Sequence, residues 1–399
     1  MEKLRGAFVE CYDSTEPNRM VTAPGRINLI GEHIDYNGLS VFPMALDRKI
    51  SMVFRARKRP GVRVCNLDSR YPPIEFEISA SIEPYDVGQW GNYLKAAAQG
   101  LTLVNPGLIG FDAVVHSDIP VAAGLSSSSA LVVATAFALI ETSDMAVERD
   151  KLMNLLADAE RYVGTRGGGM DQAICISAKE GHATRVSFDP IRLTHTRIPE
   201  DWLFVVANSL VTAEKSGAAR AAYNERTREC REALVLVAGE LGMMDEVDSY
   251  PRLLATVQVE QILLAAESAL HGSLAKRFMH VVSEGVRVRR AEKAMRDSDI
   301  ETFGRLMSES HRSLRDDFEV SGPELNELVE IAVKSGAEGA RLTGAGFGGC
   351  VIALCTADTV DGVKTALESE FYAIHRVPAD LGDSLFVARP GGGARVVEL

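Results

Sequence analysis

No stretch of this 399-residue chain stays apolar for long enough to cross a bilayer. The longest apolar run, Ala130 to Ile140, is about half of the ~20 residues that a spanning helix needs. The opening segment, MEKLRGAFVECYD, has no apolar signal core. Cysteine is scarce, and the six thiols (Cys11, Cys65, Cys175, Cys230, Cys350, Cys355) show no paired metal-ligand spacing. The eight histidines are scattered without a His-Glu-x-x-His, which argues against a zinc centre. Basic residues are in deficit: 43 Lys and Arg face 55 Asp and Glu, for a formal net charge of −12. Nucleic-acid binding draws on Lys and Arg to neutralise phosphates, so this deficit argues against it. It does not argue against a small anionic ligand, which local amides and a metal ion can hold. The expectation is a cytoplasmic protein with reduced thiols, no nucleic-acid or membrane partner, and a monomeric or weakly homo-oligomeric state.

What is present suits a large two-domain globular chain, with 46% hydrophobic and 25% charged residues. In the first half, strand-like and helix-like segments alternate. Ile50–Ala56 and Ile74–Ile78 alternate as strands, and Phe111–His116 and Leu203–Asn208 are further strands. Helices are expected over Trp90–Leu103, from about Ser127, and over Ala146–Tyr162. From Thr212 to about Lys334 charges recur at helical spacing. A glycine loop at Gly344–Gly349, a strand at Cys350–Cys355, a helix near Val360–Phe371 and a strand near Leu385–Ala388 close the chain. No linker separates the halves and no repeat is seen. The boundary is placed near 205, giving domains 1–205 and 206–399.

Four segments are dense in chemistry. Gly25–Pro43 (GRINLIGEHIDYNGLSVFP) sets Arg26, Asn28, Glu32, His33 and Asp35 within ten residues, more hydrogen-bonding capacity than a structural strand needs. The plainer reading of its Asp-Tyr-Asn-Gly is a surface turn. Ile119–Ala130 (IPVAAGLSSSSA) joins a strand to a helix; Gly124 permits a tight turn, and the helix's first amides have no internal partners. Amides and helix dipole together make a phosphate site, although a serine-capped helix start also accounts for the segment. There is no Gly-x-x-x-x-Gly-Lys-Ser/Thr, so it is no Walker loop. In Gly164–Gln172 (GTRGGGMDQ) three glycines allow close backbone approach, and Asp171 reads either as a helix cap or as a catalytic carboxylate. Arg341–Cys350 (RLTGAGFGGC) satisfies Gly-x-Gly-x-x-Gly formally, but it leads into a strand and not a helix, so a dinucleotide fold is not indicated.

The first segment closely resembles the galactokinase signature. The second and fourth resemble the phosphate loop and the third motif of the GHMP kinases, the superfamily that also contains homoserine and mevalonate kinases. The match Gly168, Met170, Asp171, Gln172 fits the galactokinase Gly-x-Met-Asp-Gln. Weaker likeness runs through Trp90–Tyr93, Tyr223–Arg226 and Leu306–Glu324, across nearly the whole chain. The resemblance implies an α+β, two-domain GHMP kinase fold: an N-terminal mixed sheet with helices, and a C-terminal ferredoxin-like domain with extra helices. It implies ATP-dependent phosphorylation of the anomeric hydroxyl of a galactose-like sugar in the cleft between the domains. It further implies that Asp171 faces that hydroxyl, that Arg26 serves the transferring phosphate and Asp171, and that Glu32, His33, Asp35, Gly168 and Tyr223 meet the sugar. Gly124, Leu125, Ser126, Ser127, Ser128, Ser129 and Trp90 would hold ATP. Ser128 would ligate the magnesium that bridges the β- and γ-phosphates, and Glu160 is a second candidate ligand, one residue off the common family spacing. The fourth motif would be mainly structural.

Gly167-Gly168-Gly169, the order Ser128-Ser129-Ala130 and the Glu160-Arg161-Tyr162 spacing lean towards the N-acetylgalactosamine kinase branch, whereas Tyr223-Asn224 points to galactokinases proper. Small residues at 167 and 169 would leave room for an acetamido group. Some relatives are non-catalytic sugar sensors whose phosphate loop lacks a Ser-Ala pair; here the loop has its full length. A serine hydrolase elbow would need glycine two places after Ser126, where Ser128 stands.

Overall fold

The computed structural model describes residues 1–13, 15–121, 123–164, 167–212, 218–375 and 381–399, with backbone alone for 218–220. Ala122 of the serine-rich segment and Thr165 and Arg166 of the triple-glycine segment lie outside the described residues.

The strands fall into two main sheets and a hairpin. In chain order they are Arg19–Asn28 (β1), Pro43–Ala56 (β2), Gly61–Asn66 (β3), Ile74–Glu77 (β4), Phe111–Ser117 (β5), His182–Ser187 (β6), Arg192–Arg197 (β7), Leu203–Asn208 (β8), Gly339–Thr343 (β9), Cys350–Cys355 (β10), Leu385–Ala388 (β11) and Arg395–Glu398 (β12). The first sheet runs β12-β1-β2-β5-β3-β4, with β3 and β5 parallel and the other pairs antiparallel. The second runs β11-β8-β10-β9, wholly antiparallel. In order of appearance that is four-one-three-two, the ferredoxin-like arrangement, with a long helical insert between its first two strands. The chain enters the second sheet at β8, which spans residue 205, and returns to the first sheet with β12.

Helices Glu2–Cys11 (α1), Gly91–Thr102 (α2), Ser127–Thr142 (α3), Arg149–Ala159 (α4) and Met170–Ser177 (α5) accompany the first sheet. The insert holds Ala218–Glu240 (α6), Tyr250–Thr256 (α7), Val259–Ala269 (α8), Gly272–Arg296 (α9), Ile300–Asp316 (α10) and Pro323–Lys334 (α11); Val360–Ala366 (α12) precedes β11. A helix apolar all round must be covered on all sides. Accordingly Ala130 through Ala136 of α3 are all buried, and the helix packs against β1, β2, β5, α2 and α5. β10 obeys the same logic: all six of its residues are buried, between β8 and β9 and beneath α11. Asp299 caps α10 by accepting from the Thr302 amide at 3.0 Å, and Pro323 opens α11, where its missing N–H costs nothing.

One buried acid joins the insert to the loop after β1. Glu284 of α9 accepts from the Gly31 amide (2.8 Å), Ser310 Oγ of α10 (2.6 Å) and Arg287 Nε (2.6 Å). Burial disfavours its charge, but Arg287, His280, Arg341 and Ser310 outweigh it and hold the acid at about 2. His280 Nε2 also bonds the Glu32 carbonyl at 3.1 Å.

Glu284→Ala should cost about 3–5 kcal/mol in urea unfolding, because Arg287 would be left buried without its partner. The acid is depressed from 4.5 to about 2, so its stabilisation is full above 4.5 and is lost as pH falls towards 2. Acid unfolding of the wild type should therefore be steeper over that window than that of Glu284→Gln.

Candidate active site

A cleft of about 680 Å³ is lined by β1 and its following loop, the start of α3, the turn before α5, α6 and the loop between β9 and β10. Its centre is built on a bulge. β1 shifts register between Pro24 and Arg26, and bulges re-aim side chains. A Cβ on Gly25 would lie 2.8 Å from the Leu125 carbonyl, so glycine is what lets β1 touch the serine-rich loop. The Arg26 amide donates to Leu125 O (3.1 Å), its Nη1 to Gly124 O (2.5 Å) and its Nε to Asp171 Oδ1 (2.8 Å). Burial opposes the charge on Arg26, yet Asp171 and Glu32 outweigh burial and raise its pKa.

Asp171 sits in the first turn of α5, behind Gly169 with its left-handed φ of 96°. Its Oδ2 accepts from Ser126 Oγ at 2.5 Å. Ser126 has a left-handed φ of 60° just ahead of α3, a strained conformation of the kind that clusters at functional sites. Ser129 Oγ donates to Glu160 Oε1 at 2.5 Å, with a longer contact of 3.5 Å to Asp171. Glu160 is buried in a short 3₁₀ turn, Glu160–Val163, that continues α4. The offset in family spacing therefore does not keep it from the loop. Ser127 and Ser128 are half-buried on the cleft wall.

The loop after β1 forms the opposite wall. Gly168 N donates to Asp35 Oδ2 (3.1 Å), and a Cβ on Gly168 would lie 2.4 Å from the Asp35 carbonyl carbon. Burial, then the charge of Asp171, pushes Asp35 up to about 6. His33, at φ 62°, bonds the Ala345 carbonyl through Nε2 (3.0 Å). A carbonyl only accepts, so Nε2 carries the proton and Nδ1 accepts from Tyr36 Oη (3.0 Å). Burial lowers His33 to about 3, so it is neutral at pH 7. Its ring packs 4.8 Å from Phe318 and 5.5 Å from Tyr223 of α6. Glu32 Oε1 accepts from the Gly344 amide (2.7 Å) and lies 3.7 Å from the Arg341 guanidinium. Trp90, beside α2, donates Nε1 to Pro72 O (3.0 Å) and lines the cleft with Tyr85 and Val121.

The residues singled out from the sequence thus reach the cleft wall except Gly168 and Ser129, which stand behind it against Asp35 and Glu160, and Asn28, which is fully buried with its amide donating to Thr343 Oγ1 at 2.9 Å. Two of the three glycines are explained by backbone and not by space for a ligand: Gly168 by its contact with Asp35, Gly169 by its positive φ. A Cβ on Gly167 would meet, among the described residues, only Glu160 Oε2 within 4 Å, at 3.9 Å. Sequence reasoning missed Tyr36 as the partner of His33, and Arg341 as the buried neighbour of Glu32. Both lie inside segments already singled out, but nothing local marks their partners. Glu284 sits in an unremarkable helix with no signal at all. Among the described residues no group of three or more His, Cys, Asp and Glu is placed to hold a metal ion.

Comparison with known proteins gives three family matches: the galactokinase galactose-binding signature over residues 6–56, the GHMP kinases N terminal domain over 92–179, and the GHMP kinases C terminal over 291–373. The chain is 36% identical to the galactokinase of Roseiflexus sp. (strain RS-1) over 375 residues, which is 93% of this chain and 91% of that protein. It is 30% identical to the galactokinase of Dictyostelium discoideum, over 93% of this chain and 88% of that one. The crystal structure of Lactococcus lactis galactokinase complexed with galactose superposes with a TM-score of 0.87 at 32% identity, covering 99% of both chains.

Gly168→Ala should lower stability by about 1–3 kcal/mol, because the new methyl group has only backbone to displace. Gly167→Ala, facing open space, should stay within about 0.5 kcal/mol of wild type. Urea unfolding of both variants checks the contrast.

Proposed function

We infer that the chain, which belongs to the galactokinase family of the GHMP kinase superfamily, transfers the γ-phosphoryl group of ATP to the anomeric hydroxyl of D-galactose, giving galactose 1-phosphate and ADP. It has the two-domain GHMP kinase fold. The observation that carries the reading is the coincidence of the galactose-binding signature, residues 6–56, with the side chains that face Asp171 across the cleft. For the domains we propose 1–205 and 206–399, with β12 returned to the first sheet.

Phosphoryl transfer asks an enzyme for positioning and charge stabilisation more than for covalent chemistry. The amides at the start of α3, with the glycine turn at Gly124, offer an anion site for the phosphates. The Arg26 guanidinium stands beside Asp171, where charge builds as the P–O bond to ADP breaks and the sugar–phosphate bond forms. Asp171 accepts the proton of the attacking hydroxyl. Arg26 Nε donates to its Oδ1 and Ser126 Oγ to its Oδ2, and these bonds hold the carboxylate in place. Glu32, Asp35 and Tyr223 present acceptors and donors for the sugar hydroxyls beside the neutral His33 ring, and a ligand lacking those hydroxyls would leave polar groups of the cleft unpaired.

The donors near the phosphate loop are all oxygens: the Glu160 carboxylate and the serine hydroxyls. That set suits a hard cation which keeps phosphate and water ligands, so we propose Mg²⁺ held by Ser128 and Glu160. Bound there it would neutralise charge on the β- and γ-phosphates. Among the described residues no helix is long and apolar enough to cross a membrane. We propose a cytoplasmic enzyme acting as a monomer or weak homo-oligomer on small-molecule substrates.

ADP release with Mg-ATP should be strong with galactose and weaker with N-acetylgalactosamine. Asp171→Asn should lower kcat by about 10²–10⁴-fold; an unaltered kcat would remove Asp171 from the mechanism. Because Asp35 is raised to about 6, kcat/KM for galactose should fall as pH drops through about 6 and Asp35 takes up a proton. A pH profile of Asp35→Asn should lack that limb.

A further inference from the structure

Arg341 at the third position of β9 is fully buried, in a sheet otherwise apolar at its centre. Burying a guanidinium is costly unless its donors are met. Here Nη1 donates to Asn28 O at 2.7 Å, while Nε and Nη2 have no hydrogen-bond partner among the described residues. As packing alone, an apolar side chain would serve better at this place. What the arginine adds is charge beside Glu32, whose Oε1 lies 3.7 Å away and is pinned by the Gly344 amide two peptide units beyond the end of the Arg341–Leu342 bond.

We propose that Arg341 is a positioning residue for the sugar, acting through Glu32: it keeps that carboxylate charged and fixed at the cleft wall. This rests on the galactose reading above. Burial pushes Glu32 towards its neutral form, and Arg341 is the foremost opposing influence, ahead of Arg26. A neutral Glu32 would be a poorer acceptor for sugar hydroxyls, and would lose the charge-assisted bond from Gly344 that sets its rotamer. The second sheet thereby fixes the chemistry of a side chain that belongs to the first segment of the chain. Arg341 touches neither the sugar nor the phosphate in this scheme. Its loss should weaken sugar binding without altering the nucleotide site.

The test is a double-mutant cycle on galactose and ATP kinetics with R341M, E32Q and R341M/E32Q, with R341K as the conservative variant. R341M is expected to raise KM for galactose roughly tenfold or more, with KM for ATP unchanged. R341K should recover most of that loss. The double variant should match E32Q alone, since the proposal routes the effect of Arg341 on the sugar through Glu32. Removing both charges together also leaves neither uncompensated, so the double variant remains measurable where R341M does not fold. The proposal is overturned by equal rises in both KM values, by a double variant clearly worse than E32Q, or by a double variant that fails to fold. Absence of galactose turnover in the wild type would instead overturn the galactose reading itself.

Discussion

Arg26 ties its own strand to two other chain segments at once. Its backbone and side chain meet Leu125 and Gly124 in the serine-rich loop, and its Nε meets Asp171 at the head of α5. A buried guanidinium with carbonyl and carboxylate partners is strongly directional, so this one side chain sets the spacing between the first strand, the start of α3 and the start of α5. The glycines around it follow from the same constraint. Gly25 admits the Leu125 carbonyl, and a Cβ on Gly344 would lie 2.8 Å from Gly124 O. The loop from the second sheet therefore sits directly against the Gly124 turn.

A second layer of charge lies beneath the cleft. Glu284, Arg287, Arg341 and Glu32 are buried together, from α9, β9 and the loop after β1. Each is tolerable only because of the others, since an isolated charge there would not survive desolvation. The layer gives the loop after β1 a rigid base in the half of the chain farthest from it in sequence. It also accounts for the left-handed His33: the loop is anchored at Gly31 by Glu284, at the Glu32 carbonyl by His280 and at the His33 ring by Ala345, and these bonds hold a backbone conformation that costs energy.

The long apolar helix after Ser127, the strand at Cys350–Cys355 and the helical stretch between the sheets were all legible from periodicity and apolar runs. So were the residues of the cleft, because their types are dense and unusual in short segments. Strands β1, β3, β6, β7, β9 and β12 were not read as strands. β1 is masked by its own functional residues, and β12, four residues long, is a strand only because β1 offers it an open edge. The expectation of a helix from Ala146 was late-starting in fact: α4 begins at Arg149 and tightens to a 3₁₀ turn at Glu160, which turns that acid inward.

The sequence by itself marked most of the charged and hydroxyl side chains that gather around Asp171 in the cleft, since residue type and local spacing are written in it. It also marked the triple glycine as a place of close backbone approach, which the structure fills with the Asp35 backbone at Gly168 and a positive φ at Gly169. Only the tertiary structure decided who holds those side chains in place. Arg341 and Glu284 lie about three hundred and two hundred and fifty residues from the groups they bond, as Asn28 and Gly31 show. Their effect depends on distance through a low-dielectric interior, and separation along the chain carries no record of it.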